Sequence, residues 1–309
     1  MAKFIYKYFP KESLELVFAR DGLCGVKCSL PKDYNDPFEL FLGVNLNIGP
    51  QALAIYRDIV QDIPQYPTTC FSHSPIVTPM WAHYAQNHSG FVVEFDVDRL
   101  RQSFPEVGFH DVEYMDEADS SIEQMIARVA TTLKPRHAVW LRDAVVARSY
   151  FSKHTSWSYE NEIRLVASGD EVEDVGGISI LFIPLECLAS IGVGKNFPNE
   201  MVEASQEIAD RAGIDWFQEV IGKSHPQPYF TNVDGEIFVH NGAGIYGADH
   251  KCPACEEPIA AEAELCPWCS ITEDDRLLAA GSNPFTMLDS AGALDRYMEG
   301  IAEIKKSLR

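Results

Sequence analysis

The chain has 309 residues, 46% hydrophobic and 23% charged, enough for one sizeable buried core and a smaller second unit. Its formal net charge of -21 argues against general attraction to nucleic-acid phosphate or anionic lipid, because both need a positive face. No run approaches the ~18 apolar residues of a membrane span, and the opening MAKFIYKYFP lacks the apolar core of a secretory signal, so a cytoplasmic protein is expected.

Taken in order, FIYKY (Phe4 to Tyr8) alternates and predicts a strand, SLELVFAR (Ser13 to Arg20) a helix with Ser13 at its N-cap, and LCGVKCS a second strand. Asn35 and Asp36 before Pro37 predict a turn into a short helix over Phe38 to Leu42. From Ile48 to Ile63 a longer helix is expected, with Ala52, Ile55, Tyr56, Ile59 and Ile63 on one face. Thr69 to Ser72 reads as a short strand. Thr78 and Pro79 read as N-cap and first residue of a helix running to Asn87, and Gly90 as its stop before a strand at Phe91 to Phe95.

SSIEQMIARVATTLK and RHAVWLRDAVVARSYFSK are helical in pattern. Ile163 to Val166, Ile178 to Ile183 and Ala189 to Val193 are strands, and Asn199 to Ala212 is a helix. YFTNVDGEIFVH predicts a hairpin turning at Asp234 and Gly235, and NGAGIYGAD a glycine-rich linker. A last amphipathic helix has Leu294, Tyr297, Met298, Ile301 and Leu308 on one face. With no regular βαβ period, the class expected is α+β, mixed or antiparallel sheets with flanking helices, plus a small C-terminal zinc ribbon and a terminal helix. The division expected is 1–223 as the main domain, 224–247 as hairpin and linker, 248–272 as ribbon and 273–309 as helical tail.

The metal signal lies in CPACEEPIAAEAELCPWC. Cys252, Cys255, Cys266 and Cys269 form two CxxC pairs whose thiolates can close a tetrahedral site, so structural zinc is expected, with no open position for catalysis. Two disulfides are the alternative, disfavoured in a cytoplasmic chain. The acidic ribbon is a poor nucleic-acid binder. It suits either stapling the C-terminal helix to the main domain or docking a protein.

In the main domain the chemistry-bearing side chains are Lys7 between Tyr6 and Tyr8, Asn35 to Glu39, Ser72, the group Trp81, His83, Tyr84 and His88, and the stretch TSWSYENEIRLV. Glu160 and Glu162 are one residue apart at the mouth of a strand, where alternation points both the same way. The plain alternatives are aromatic core filling and a surface ion pair of Glu162 with Arg164, worth under about 1 kcal/mol. A metal-dependent nuclease or hydrolase using His83, His88 and Glu94 is a further, lower-ranked expectation, since their spacing matches no metal motif.

The words YKY, YNDPFE, CFS, MWAHYAQNHSGFVVEF and WSYENEIRL, spread over roughly the first 200 residues, resemble the uncharacterised bacterial family DUF2971. The order of these elements in turn resembles the ADP-ribosyltransferase fold. That second resemblance implies NAD as co-substrate, held on its phosphate or ribose side by Lys7. It implies Ser72 as a brace, Glu162 as the catalytic glutamate, Glu160 polarising the acceptor, and Tyr8, Trp81 or Tyr84 stacking the nicotinamide. Lysine stands where arginine or histidine is usual in that family, supplying charge without a planar fork. The implied activity is ADP-ribosyl transfer or NAD cleavage with a protein acceptor or partner, in a bacterial toxin or phage-defence effector. A non-enzymatic sensor or protein-interaction module is the competing expectation.

Overall fold

A computed structural model describes residues 3–34, 45, 47–61, 65–117 and 119–307. The chain divides into two compact units, Met1–Ile221 with Gln227–Gly247, and Gly222–Pro226 with Ala248–Arg309.

In the first unit the elements run β1 (Phe4–Phe9), α1 (Leu14–Val17), β2 (Leu23–Cys28), α2 (Pro50–Val60), β3 (Thr68–Ser72), α3 (Thr78–His83), β4 (Phe91–Asp96), α4 (Val97–Ser103), β5 (Gly108–Asp111) and β6 (Glu113–Met115). Then follow α5 (Ser120–Thr132), α6 (Pro135–Phe151), β7 (Ser152–His154), β8 (Glu162–Val166), β9 (Glu173–Val175), β10 (Ile178–Pro184) and β11 (Leu188–Val193). The unit ends with α7 (Asn199–Ala212), β12 (Asp215–Val220), β13 (Tyr229–Thr231), β14 (Ile237–His240) and β15 (Ile245–Gly247).

The class is α+β with a mixed sheet. Its ten strands run in the order β15-β14-β13-β12-β11-β4-β1-β3-β8-β5, beside a second sheet β2-β10-β9 and a parallel pair β6-β7. Within the large sheet β11 and β12 are parallel, joined by α7, and the other registered neighbours are antiparallel. The main core lies against one face of β1, β4 and β11 and takes in Ile5, Phe91, Phe95, Leu181 and Ile191. On the other face Tyr6, Tyr8, Trp81, Phe217 and Phe230 make a second, aromatic cluster. α5 and α6 build a third around Ile122, Ile126 and Leu141, against which the expected face of α2, Ala52, Ile55, Tyr56 and Ile59, packs.

Several local readings change. The helix expected over Ser13 to Arg20 shrinks to α1 after a 3₁₀ turn at Lys11–Ser13, and the Ser13 side chain makes no cap. The chain must reverse at Gly22, with φ +72°, to begin β2 at Leu23, which leaves no room for more turns. α3 starts behind Val77 and stops at His83, because Gln86, Asn87 and His88 all adopt left-handed φ of 48°, 54° and 65° and turn the chain into β4. Helix was expected through Lys153, but Ser152–His154 is a strand pairing with β6. The segment read as a linker contains β15, which pairs with β14 and extends the large sheet. The turn at Asn35 and Asp36, the helix over Phe38 to Leu42, and the face residues Ile63 and Leu308 lie outside the described residues.

Gly90 is required by close approach. A Cβ there would sit 2.1 Å from the Phe9 carbonyl oxygen, so Gly90→Ala is expected to force β1 and the turn apart at a cost of about 1–3 kcal/mol. A lowered melting temperature checks this; an unchanged one would mean the turn can shift freely.

The second unit comprises a cysteine-rich segment followed by α8 (Glu273–Ser282), α9 (Pro284–Ser290) and α10 (Leu294–Ser307). α8 opens with a capping box in which the Thr272 hydroxyl accepts from the Asp275 N–H and the Asp275 carboxylate accepts from the Thr272 N–H.

Candidate functional site

The site arises from a fault in the large sheet. β1 pairs with β4 over six positions, from Phe4↔Asp96 to Phe9↔Phe91, and β3 pairs with β8 over five. Between β1 and β3 only Tyr6↔Ser72 is in register. The sheet therefore opens beyond that pair, and a cavity of about 180 Å³ lies in the opening. β1 contributes Tyr6, Lys7 and Tyr8, β3 contributes Cys70 and Ser72, and β8 contributes Glu162 and Arg164. Tyr84, Lys153 and Glu160, together with Lys27, Ser29, Asp33 and Tyr34, complete the wall.

Glu160 and Glu162 do converge, though not by strand alternation. Glu160 ends a 3₁₀ turn (Thr155–Glu160), Asn161 takes a left-handed φ of 44°, and Glu162 begins β8. Asparagine tolerates that conformation better than most residues. The Lys153 ammonium then bridges the two carboxylates, donating to Glu160 Oε2 at 2.5 Å and to Glu162 Oε2 at 3.1 Å.

The pair of Glu162 with Arg164, read as a surface contact, is buried: Arg164 is 0% and Glu162 4% exposed. Arg164 Nε donates to Glu162 Oε1 at 2.7 Å and Nη2 to Oε2 at 3.2 Å, a two-point clamp. Burial alone would raise the Glu162 carboxyl, but the Arg164 guanidinium, and then Lys153, outweigh it and hold Glu162 well below the usual carboxylate range. Glu160 goes the other way. Its burial raises it despite Lys153 and despite the Tyr84 hydroxyl, which donates to Oε1 at 2.6 Å. Two carboxylates with protonation pushed apart are the arrangement that lets one stay anionic while its neighbour exchanges a proton.

Ser72 braces this corner: its hydroxyl donates to the Glu160 carbonyl at 2.7 Å and accepts from the Ser74 N–H at 3.2 Å. Lys7 Nζ donates to the Cys70 carbonyl at 3.0 Å and lies 5.5 Å from the Phe71 ring centre, and burial lowers its pKa. Tyr6 is turned to the buried Glu94 at 2.7 Å, and Tyr8 donates to the Ser74 carbonyl at 2.9 Å. Trp81 and His83 do not line the cavity. Trp81 is fully buried with its indole N–H on the Pro75 carbonyl, and the His83 ring stands edge-on to Tyr159 at 6.0 Å. His88 and Glu94 are engaged elsewhere, His88 with Glu219 at 2.7 Å and Glu94 with Tyr6 and Ser190.

Lys153, central here, carries no distinguishing signal in the sequence. It follows a helical pattern without a break, and only the short strand of β7 aims it at the glutamates.

A family model described as a protein of unknown function (DUF2971) matches residues 80–165. This supports the DUF2971 resemblance. The matched stretch holds Tyr84, Lys153, Glu160, Glu162 and Arg164, and leaves out Lys7 and Ser72. No curated protein and no solved structure matches the chain.

In the second unit the sulfurs of Cys252, Cys255, Cys266 and Cys269 lie within 4.8 Å of one another. Among the described residues this is the one group of three or more His, Cys, Asp or Glu ligand atoms close enough for a single ion. The Cys255 and Cys266 sulfurs are 3.6 Å apart, near the edge of a tetrahedron with metal–sulfur bonds of about 2.3 Å. Backbone N–H groups point at the sulfurs, Cys266 N at Cys252 Sγ (3.4 Å) and Cys269 N at Cys266 Sγ (3.3 Å), which favours thiolates. The donor set fits one four-coordinate soft-ligand ion such as zinc.

Proposed function

We propose that the first unit is an enzyme that cleaves NAD at the bond between nicotinamide and ribose, as an ADP-ribosyltransferase-type glycosyl transfer. The observation that carries this reading is the meeting of Lys7, Ser72, Glu160 and Glu162 on one cavity. A pure interaction domain has no need to bring those groups together from β1, β3 and the edge of β8. Cleavage passes through an oxocarbenium-like centre, and Glu162, held anionic by Arg164 and Lys153, would stabilise it, as a carboxylate does in glycoside cleavage.

The cavity of about 180 Å³ is smaller than the roughly 300–1,000 Å³ of pockets that enclose a whole ligand. On this reading it would take the nicotinamide–ribose end, with the phosphates toward Lys7 and Lys27. By the same resemblance the protein would serve as a bacterial toxin or phage-defence effector acting in the cytoplasm. The cysteine cluster is proposed as a structural zinc site, closed to catalysis by its four sulfur ligands.

The test is direct: zinc-loaded protein is incubated with NAD, nicotinamide release is followed by chromatography, and NAD binding by calorimetry. Release supports the reading; neither binding nor release by folded protein would end it. A second reading, a sensor or protein-interaction module, draws on the second unit, where Trp268, Leu277, Leu278, Phe285 and Met287 are all more than half exposed. Partner binding that survives loss of the cavity carboxylates would favour it.

A further inference from the structure

The resemblance implies an acceptor polarised by Glu160, but the cavity already holds a cation in that place. Lys153 Nζ lies between Glu160 Oε2 and Glu162 Oε2 at 2.5 and 3.1 Å, with its side chain only 10% exposed. Every oxygen of the two carboxylates has a donor. Glu162 Oε1 takes Arg164 Nε, its Oε2 takes Arg164 Nη2 and Lys153, Glu160 Oε1 takes Tyr84, and Glu160 Oε2 takes Lys153. The Trp157 ring, 4.9 Å from Nζ, closes over the ammonium. An arginine acceptor binds a carboxylate edge through two parallel N–H···O bonds, and on each of the two carboxylates Lys153 already holds one oxygen of that edge. Lys153 fills the position between the two carboxylates that a cationic acceptor would take, so such an acceptor would have to displace it.

We infer that Lys153 sets the acceptor class, restricting transfer to water or another neutral hydroxyl and excluding guanidinium and ammonium acceptors. The inference rests on the NAD-cleaving reading. In the step assigned, the water oxygen forms a bond to the ribose C1″ while the C1″–N bond breaks, its electron pair staying on the nicotinamide nitrogen. The water proton passes to the Glu160 carboxylate. The products are ADP-ribose and nicotinamide. A carboxylate oxygen that already holds one donor still has a lone pair for a water, which brings no charge.

The experiment compares wild type and Lys153→Ser, each given NAD with and without excess agmatine as the guanidinium probe, and separates ADP-ribose from ADP-ribosyl-agmatine by mass spectrometry. Wild type is expected to yield ADP-ribose alone. Lys153→Ser is expected to form ADP-ribosyl-agmatine at a level about tenfold or more above the detection background that the wild-type arm sets, the discrimination that one opened subsite supplies. Calorimetry without NAD gives a second readout: agmatine is expected to bind Lys153→Ser and not wild type.

ADP-ribosyl-agmatine from the wild type would overturn the inference while leaving the NAD reading intact. Should folded Lys153→Ser, judged by circular dichroism, not bind agmatine, the slot argument falls. Absence of nicotinamide release in every arm would sink the NAD reading and this inference with it. The wild-type arms alone decide the acceptor if the variant does not fold.

Discussion

Removing the metal with a strong chelator, or replacing Cys266 by serine, is expected to unfold the second unit and leave the first folded. Among the described residues of that unit, the buried apolar side chains are Cys252, Pro258 and Cys266, while Leu277, Leu278 and Phe285 stand exposed. A segment this poor in core cannot offset its ordering entropy by burial, and a metal is the usual substitute. Closing a four-thiolate zinc site contributes about 10–16 kcal/mol of apparent binding free energy at neutral pH, which becomes folding free energy when the apo segment is disordered. What it organises is visible: Glu257 accepts from the Lys223 and Ser224 N–H groups at 2.8 Å each, and the Trp268 indole donates to the Lys223 carbonyl at 2.7 Å. Elemental analysis should find one zinc per chain. Hydrogen exchange should show protection lost over residues 248–272 on chelation and kept over β1, β4 and β11. Full protection in metal-free protein would mean that the cysteines contribute no more than ordinary side chains.

What the sequence yielded and withheld follows from the range of the interactions. Period-two and period-3.6 patterns located β1, β4, β8, β11 and α7, because their burial is set by residues a few positions apart. CxxC spacing disclosed the cysteine cluster for the same reason, each knuckle being local. The cavity was legible as a set of residues and not as a place. Nothing near Tyr6 announces that β1 and β3 will share one registered pair, since that depends on what β4 and β8 claim on either side. Lys153 was hidden more thoroughly. Its partners are seven and nine residues ahead, reached through a 3₁₀ turn and a left-handed Asn161, and neither feature has a periodic signature. The error over α3 has the same origin: three consecutive left-handed residues without glycine are held by contacts such as the Asn196 N–H on the His88 carbonyl, far along the chain.

Glu162→Gln is expected to lower nicotinamide release by about 10²–10³-fold, the usual cost of losing one preorganised charge at the reacting centre. The amide keeps the shape and one acceptor oxygen, so the clamp with Arg164 survives in part. Breaking a buried ion pair costs about 3–5 kcal/mol, within the roughly 5–15 kcal/mol that holds a domain folded, so the variant remains testable. The pH dependence separates its role from that of Glu160. Because Glu162 is held below the usual carboxylate range, its stabilisation is fully present above that range and is lost as pH falls through its folded-state value; the variant lacks this acid-labile component. Glu160 is raised by burial, and it must be ionised to accept a proton from water. The rate is therefore expected to fall, as pH drops, at a pH above the ordinary carboxylate value of about 4.3. Tyr84 stabilises the ionised form by donating to Oε1, so Tyr84→Phe should move that limb to still higher pH while leaving the alkaline plateau near wild type. A limb that stays in place in Tyr84→Phe would mean that the group titrating in the rate is not Glu160, and the proton transfer assigned to it would have to go to another residue.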